Sequence, residues 1–222
     1  MNESSKSLQW FSAEERALLT GRVLDIGAGA DVVVPGAIPF DLVHGDANHI
    51  TAFEAGSFDC VYSSHCLEHM HEPAASLANW WSLVRPGGSM IVIVPDEDLY
   101  EQGRFPSIFN GDHKNTFTIA KRRSWSPRSH NLLDLARALP GSELLSVRLN
   151  DIGYDRRYAA HLPHVIHPVV RRVLRLYRSL RKRGLPHLHW MQMWQSHAEG
   201  LDQTHGTACA QIELMVRKVM PA

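Results

Sequence analysis

Only three of the 222 residues are cysteine, at positions 60, 66 and 209, and none forms a CxxC pair. An odd, unpaired set excludes a disulfide framework and points to a reducing compartment. Two of the three lie inside apolar runs, where a thiol acts as a small hydrophobe. No apolar run approaches the roughly 18–20 residues of a spanning helix. The opening stretch MNESSKSLQWFSAEERALL has no charged segment followed by an apolar one, so no signal peptide is expected. The expected location is cytoplasmic, at most peripheral to the inner face of the membrane. Net charge is absent as well: 23 basic residues balance 23 acidic ones, which removes any general argument for a polyanionic partner. Internal repeats and low-complexity tracts are missing, which excludes repeat architectures.

What is present is ordinary for a globular chain, with 44% hydrophobic and 21% charged residues. The length suits a single domain over 1–222. Ser12 followed by Glu15 reads as a capping box opening a helix over 12–20. Strands are expected at 22–26, 38–43, 57–65 and 89–96. The last is nearly all apolar, as in a parallel sheet covered on both faces. A helix over 73–84 has Pro73 in its first turn and ends before RPGG at 85–88. Further on, 126–139 and 167–184 read as helices, and 143–150 and 207–219 as strands. Strands alternating with helices predict a three-layer α/β fold.

The strand ending in Asp25 runs into Gly27-Ala28-Gly29, and Asp41 and Asp46 follow within seventeen residues of Gly29. A dinucleotide fingerprint needs a third glycine where Val32 stands, and Asp31 would set a negative charge near a phosphate. Nicotinamide chemistry is therefore disfavoured. A phosphate-free cofactor carrying a ribose, an adenine and a sulfonium suits two closely spaced acids. Asp41 could accept both ribose hydroxyls, Asp46 the adenine amino group, and Asp25 could orient a methionine ammonium. A tight turn with solvated acids remains open on these residues alone.

The motifs VLDIGAGA, GDANHI, GSFDCVYSSHCLEHM and SLVRPGGSMIVIVPD, in that order over 22–98, resemble class I S-adenosylmethionine-dependent methyltransferases of the type-11 group. The resemblance implies a Rossmann-like, mostly parallel, seven-stranded sheet with an antiparallel last strand, and methyl transfer from S-adenosylmethionine. It places Asp25, Gly27, Ala28 and Gly29 in the cofactor loop and Asp41 on the ribose. Asp46 and Ala47 would flank the adenine, and Ser64 and His65 the methionine end. The chain departs from the family between 30 and 45. ADVVVPGA would replace the usual helix with a loop, and VHGD would be a vestigial third strand.

HCLEHMH at 65–71 puts His65 and His69 at metal-ligand spacing, but the LEH motif of the family accounts for it, and no metal is expected. His161, His164 and His167 straddle Pro163, which argues against one helical ligand face. The polar segment 95–118 lies where substrate enters such enzymes. Its GDHKNTFT, followed by an expected helix, resembles the substrate side of surface-polysaccharide and glycan methyltransferases. His113 is the candidate general base, with Asp112 as orienter or alternative. The acceptor expected is a hydroxyl of a sugar or glycan intermediate. The alternatives are a small metabolite or lipid-like acceptor, or a non-catalytic cofactor lobe within a biosynthetic complex. No basic-aromatic platform marks a nucleic-acid binder.

Residues 155–206 form a basic helical insertion. Within it Val169, Val170, Val173, Leu174, Tyr177 and Leu180 fall on one helical face. Arg171, Arg172, Arg175, Arg178, Arg181, Lys182 and Arg183 bring seven positive charges without an acid. The helix at 168–183 is thus a candidate for peripheral membrane contact, with a solvated lid or homodimer face as the plainer reading. Trp190 and Trp194 suit sugar faces or packing, and one of the two is expected to pack inside.

Overall fold

The computed structural model describes residues 3–119, 121, 123–159, 168–184, 186 and 188–219. Strands β1 (Val23–Ile26), β2 (Ile38–Phe40), β3 (Phe58–Ser64), β4 (Val84–Pro95), β7 (Ser142–Asn150) and β8 (Gln211–Lys218) form one sheet of order β2-β1-β3-β4-β8-β7. β1, β2, β3 and β4 run parallel, while β8 is antiparallel to both β4 and β7. Short strands β5 (Thr116–Thr118) and β6 (Ser129–Asn131) pair beside it. The helices are α1 (Glu3–Leu8), α2 (Ala13–Ala17), α3 (Pro73–Leu83), α4 (Leu132–Arg137), α5 (Pro168–Lys182) and α6 (His189–Glu199).

Alternation along the central strands buries both faces of the sheet. Leu24, Val61, Met90, Val92 and Leu214 pack with Leu77, Trp80 and Trp81 of α3. Their neighbours Val23, Cys60, Tyr62, Ile91 and Met215 pack with Phe11, Leu19 and Val33 on the opposite side. The buried tryptophans keep their N–H groups satisfied: Trp80 donates to the Ala47 carbonyl (2.8 Å) and Trp81 to that of Pro140 (2.9 Å). α2 opens with the capping box expected: the Glu15 N–H donates to Ser12 Oγ and the Ser12 N–H to Glu15 Oε2. Arg148 then ties α2 to the sheet by bridging Glu15 and the buried Glu213.

The structure differs from expectation in three places. It has six strands rather than seven, because VHGD is not a strand: residues 41–50 form turns, and Leu42 and Val43 are 89% and 88% exposed. With no burial there is nothing to drive pairing. Residues 27–37 form a loop in place of a helix, as anticipated, and Val33 supplies part of the apolar cover a helix would give. β4 starts at Val84 directly after α3, so RPGG belongs to the strand. Residues 126–139 are not one helix. Asn131 ends β6, and its Oδ1 accepts the N–H groups of Leu133 and Asp134, which sets the start of α4 at Leu132.

The apolar positions of α5 do not share one environment. Leu174 and Tyr177 are buried against Met191 and Ala198, whereas Val169, Val173, Leu176 and Leu180 are exposed. Trp190 and Trp194 of α6 are 59% and 55% exposed, so neither packs inside as expected of one of them. Among the described residues, no helix is long and apolar enough to cross a membrane.

Candidate functional site

The chain leaves β1 toward β2 on one side and returns to β3 on the other, so the strand order reverses beside β1. Ligands of open α/β sheets sit at the carboxyl ends of the strands at such a reversal. Gly27, Asp41 and His65, each just past its strand, meet there. The Gly27 N–H donates to the Phe40 carbonyl (2.8 Å) and the Gly29 N–H to Asp41 Oδ2 (2.8 Å), which locks the loop to the end of β2. Gly27 has φ +78°, and a Cβ there would lie 2.7 Å from the Cβ of Cys66. Gly29 has φ +55° with open space where its side chain would be. The loop thus needs glycine at both positions, once for packing and once to leave its outer side bare.

His65 ends β3 in the left-handed region, at φ +53°. A non-glycine residue held there is characteristic of ligand-facing positions. Three cavities share His65 as a wall. One of about 480 Å³ runs past Gly27, Asp41, Asp46 and Ala47. A second, of about 330 Å³, lies against Gly27–Asp31, Ser64 and Glu3. The third, of about 160 Å³, is bounded by Glu68, His69, Tyr100 and His113. The expected residues Gly27, Ala28, Gly29, Asp41, Asp46, Ala47, Ser64 and His65 therefore all border this trough.

Asp25 is the exception. It is 1% exposed beneath the loop and accepts the Val33 N–H at 2.6 Å, so it pins the loop rather than lining a cavity. Burial pushes its pKa up to about 7. Asp46 moves the opposite way, its carboxyl held below the usual range by hydrogen bonds from Asn48. Burial drives the Cys66 thiol up to about 12, so it is inert filler beside Gly27. All three cysteines are free and buried.

At the third cavity, His113 is buried and its Nδ1 lies 2.6 Å from Glu101 Oε1. A carboxylate can only accept, so Nδ1 donates to Glu101 and Nε2 is the ring nitrogen left toward the cavity. The carboxylate that meets the His113 ring is thus Glu101 and not Asp112. The Asp112 side chain is 76% exposed and lies toward His69, its Oδ2 3.3 Å from His69 Nδ1. Tyr100 lies against the His113 ring, and burial raises its pKa, so it remains a neutral phenol. Glu68 on the single turn Leu67–His69 is fully buried, with His65, His69 and His113 around it.

Sequence reasoning missed Glu68 and Glu101. Glu68 had a legible signal in LEH; Glu101 had none, since it reaches His113 only through the fold of the 96–115 loop. GDHKNTFT leads into β5 rather than a helix. His161, His164 and His167 lie outside the described residues.

Residues 24–92 match the family model of a methyltransferase domain. The chain is 38% identical over 50 residues to an uncharacterised 37.1 kDa protein of transposon Tn4556 from Streptomyces fradiae, covering 22% of this chain and 14% of that protein. It is 28% identical over 117 residues to demethylmenaquinone methyltransferase of Renibacterium salmoninarum, covering 52% and 48% respectively. It thus spans less than half the length of either relative. The solved structure of a SAM-dependent methyltransferase from Archaeoglobus fulgidus superposes with TM-score 0.52 at 13% identity, over 98% of this chain and 95% of that one. At that identity the likeness is one of fold: an α/β Rossmann-like methyltransferase sheet, mostly parallel with an antiparallel strand.

Proposed function

We propose that this chain, with its methyltransferase domain over residues 24–92, binds S-adenosylmethionine and methylates an oxygen of a small acceptor, a sugar or glycan hydroxyl being the favoured class. The observation that carries this reading is the trough around His65, which joins the glycine loop to the Glu101–His113 pair. The residues present fit the cofactor. Asp41 and Asp46 offer carboxylates to a ribose and an adenine amino group, and Glu3, Ser64 and His65 border the space left for a methionine end. A pyrophosphate fits poorly, because Asp31 stands at the loop where it would bind and is itself hydrogen-bonded to Ser5. When bound, the cofactor supplies an electrophilic methyl group on a sulfonium.

The chain's own residues supply position and a proton acceptor. His113 Nε2 takes the proton of the acceptor hydroxyl, and Glu101 holds Nδ1–H and stabilises the imidazolium that results. Asn110, Thr204 and Gln211 give the small cavity polar walls suited to a hydroxylated ligand. Calorimetric titration with S-adenosylmethionine, S-adenosylhomocysteine and NAD tests the reading. The two adenosyl compounds bind at micromolar level, NAD does not, and Asp41→Ala weakens binding about 10–100-fold through lost charge-assisted hydrogen bonds. Absence of adenosyl binding sinks the proposal. A screen of sugar hydroxyls, with methylated product read by mass spectrometry, then tests the acceptor class.

Features of α5 support peripheral action at a membrane surface. Its exposed Val169, Val173, Leu176 and Leu180 form a stripe bordered by arginines, an arrangement suited to the surface of an anionic bilayer.

A further inference from the structure

We infer that Glu68, His69 and His113 form a binding site for a first-row divalent transition-metal ion at the acceptor end of the trough. Glu68 Oε1 stands 3.9 Å from His69 Nε2 and 3.9 Å from His113 Nε2, and one ligand atom from each of the three lies within 4.8 Å of the others. Donor atoms around an ion with bonds of about 2.0–2.2 Å stand roughly 3–3.6 Å apart, so closure takes about 1 Å of side-chain movement. The two imidazole rings are already 5.0 Å apart, centroid to centroid.

Protonation makes the geometry specific. His113 commits Nδ1–H to Glu101 at 2.6 Å, and His69 commits Nδ1–H to the Asp112 carbonyl at 3.1 Å. Both acceptors can only accept, so in both rings Nε2 is the nitrogen left facing the Glu68 carboxylate and available to a metal ion. That carboxylate is fully buried, lines the 160 Å³ cavity, and receives no hydrogen bond at either oxygen. The nearest donor, His65 Nδ1, is 3.5 Å away, and His65 Nε2 is engaged with Gln211 Oε1 at 3.3 Å. His65 faces one side of the Glu68 carboxylate as an ion-pair partner, and the side toward His69 and His113 Nε2 is left for a further cation. Two imidazoles and one carboxylate suit zinc, iron(II), cobalt or manganese, whereas magnesium and calcium prefer all-oxygen sets. Glu101 and the Asp112 carbonyl stand where outer partners of ligating histidines stand in metal sites.

The site rests on its own geometry. Only its bearing on chemistry depends on the methyltransferase reading. Metal and proton compete for the same His113 lone pair, so the loaded form addresses the acceptor oxygen through the ion's open positions instead of through the imidazole.

Titration of the chelator-stripped, tag-free chain with Co²⁺, followed by its d–d absorption, tests this. One equivalent binds and is displaced by Zn²⁺. His69→Ala, on a partly exposed ring, removes the visible bands while far-UV circular dichroism stays that of the wild type, as does Glu68→Gln. Glu101→Gln weakens the affinity about 10–100-fold while leaving the stoichiometry at one. His205→Ala, an exposed histidine elsewhere, changes nothing. Absence of a cobalt spectrum in the wild-type chain, or a spectrum that persists in His69→Ala, overturns the inference. Calorimetry with S-adenosylmethionine on wild type and His69→Ala separates the two claims. Cofactor binding without cobalt binding refutes only the metal site; cobalt binding without cofactor binding refutes only the cofactor reading.

Discussion

At the residue scale, two side chains carry most of the consequence of burial. Asp25 is folded into an apolar floor, and its pKa of about 7 stands above the ordinary 3.8. Between pH about 4 and 7 the folded chain retains a proton there that the unfolded chain releases. Its contribution to stability is therefore fully present below pH 4 and is lost as pH rises through 7. Asp25→Asn keeps an acceptor for the Val33 N–H and removes the ionisation. Urea denaturation at pH 8 should show the variant more stable, by at most about 4 kcal/mol. The difference should vanish near pH 4. In the proposed reaction Glu101 acts through another side chain, the His113 ring it is hydrogen-bonded to. Glu101→Gln keeps the size but lets Nδ1 lose its fixed proton, so kcat should fall about 10²–10⁴-fold with KM for the acceptor little changed. Steady-state kinetics on whichever hydroxyl the acceptor screen identifies will read this.

At the scale of elements, α2 and α3 contrast. The five residues of α2 have no buried side chain, and α2 stays in place through the Ser12 cap and the Glu15–Arg148 bridge. Ser12→Ala should cost about 1 kcal/mol in chemical denaturation. In α3, Trp80 fills the sheet face and also holds the Ala47 carbonyl beside the large cavity. Trp80→Ala should cost about 3–5 kcal/mol. Because it frees the 46–48 turn, it should also weaken adenosyl binding, which calorimetry on the folded fraction would detect.

At the scale of the whole molecule, the strand-order reversal gathers the glycine loop, β2's terminal acid and His65 at one edge. Elsewhere the basic α5 leaves Val169, Val173, Leu176 and Leu180 uncovered, and the aromatic α6 leaves Trp190 and Trp194 so. Co-sedimentation with phosphatidylserine vesicles should exceed that with phosphatidylcholine vesicles and fall as salt rises. Val173→Glu with Leu176→Glu should abolish it without altering S-adenosylmethionine binding. Equal sedimentation with both lipids would count against a membrane role for α5.

Order along the chain carried far. The capping box at Ser12, the glycine loop, the apolar strands and Pro73 at the head of α3 were all legible, because capping, turn and burial preferences act over a few residues. So was the gathering of most residues that border the trough, since they follow the ends of successive strands. Three features were not legible. VHGD reads like a strand but finds no neighbour, and pairing is decided by what lies beside a segment. The apolar stripe of α5 reads as one face but divides between Leu174 and Tyr177 inside and Val169 and Val173 outside, since packing partners choose the buried side. Asp112 stands next to His113 in sequence, yet Glu101, twelve residues earlier, reaches its ring. Local propensities were determined by the sequence directly. Which carboxylate meets which histidine was decided only when the 96–115 loop folded over the LEH turn, because that contact depends on distances in space that no spacing along the chain encodes.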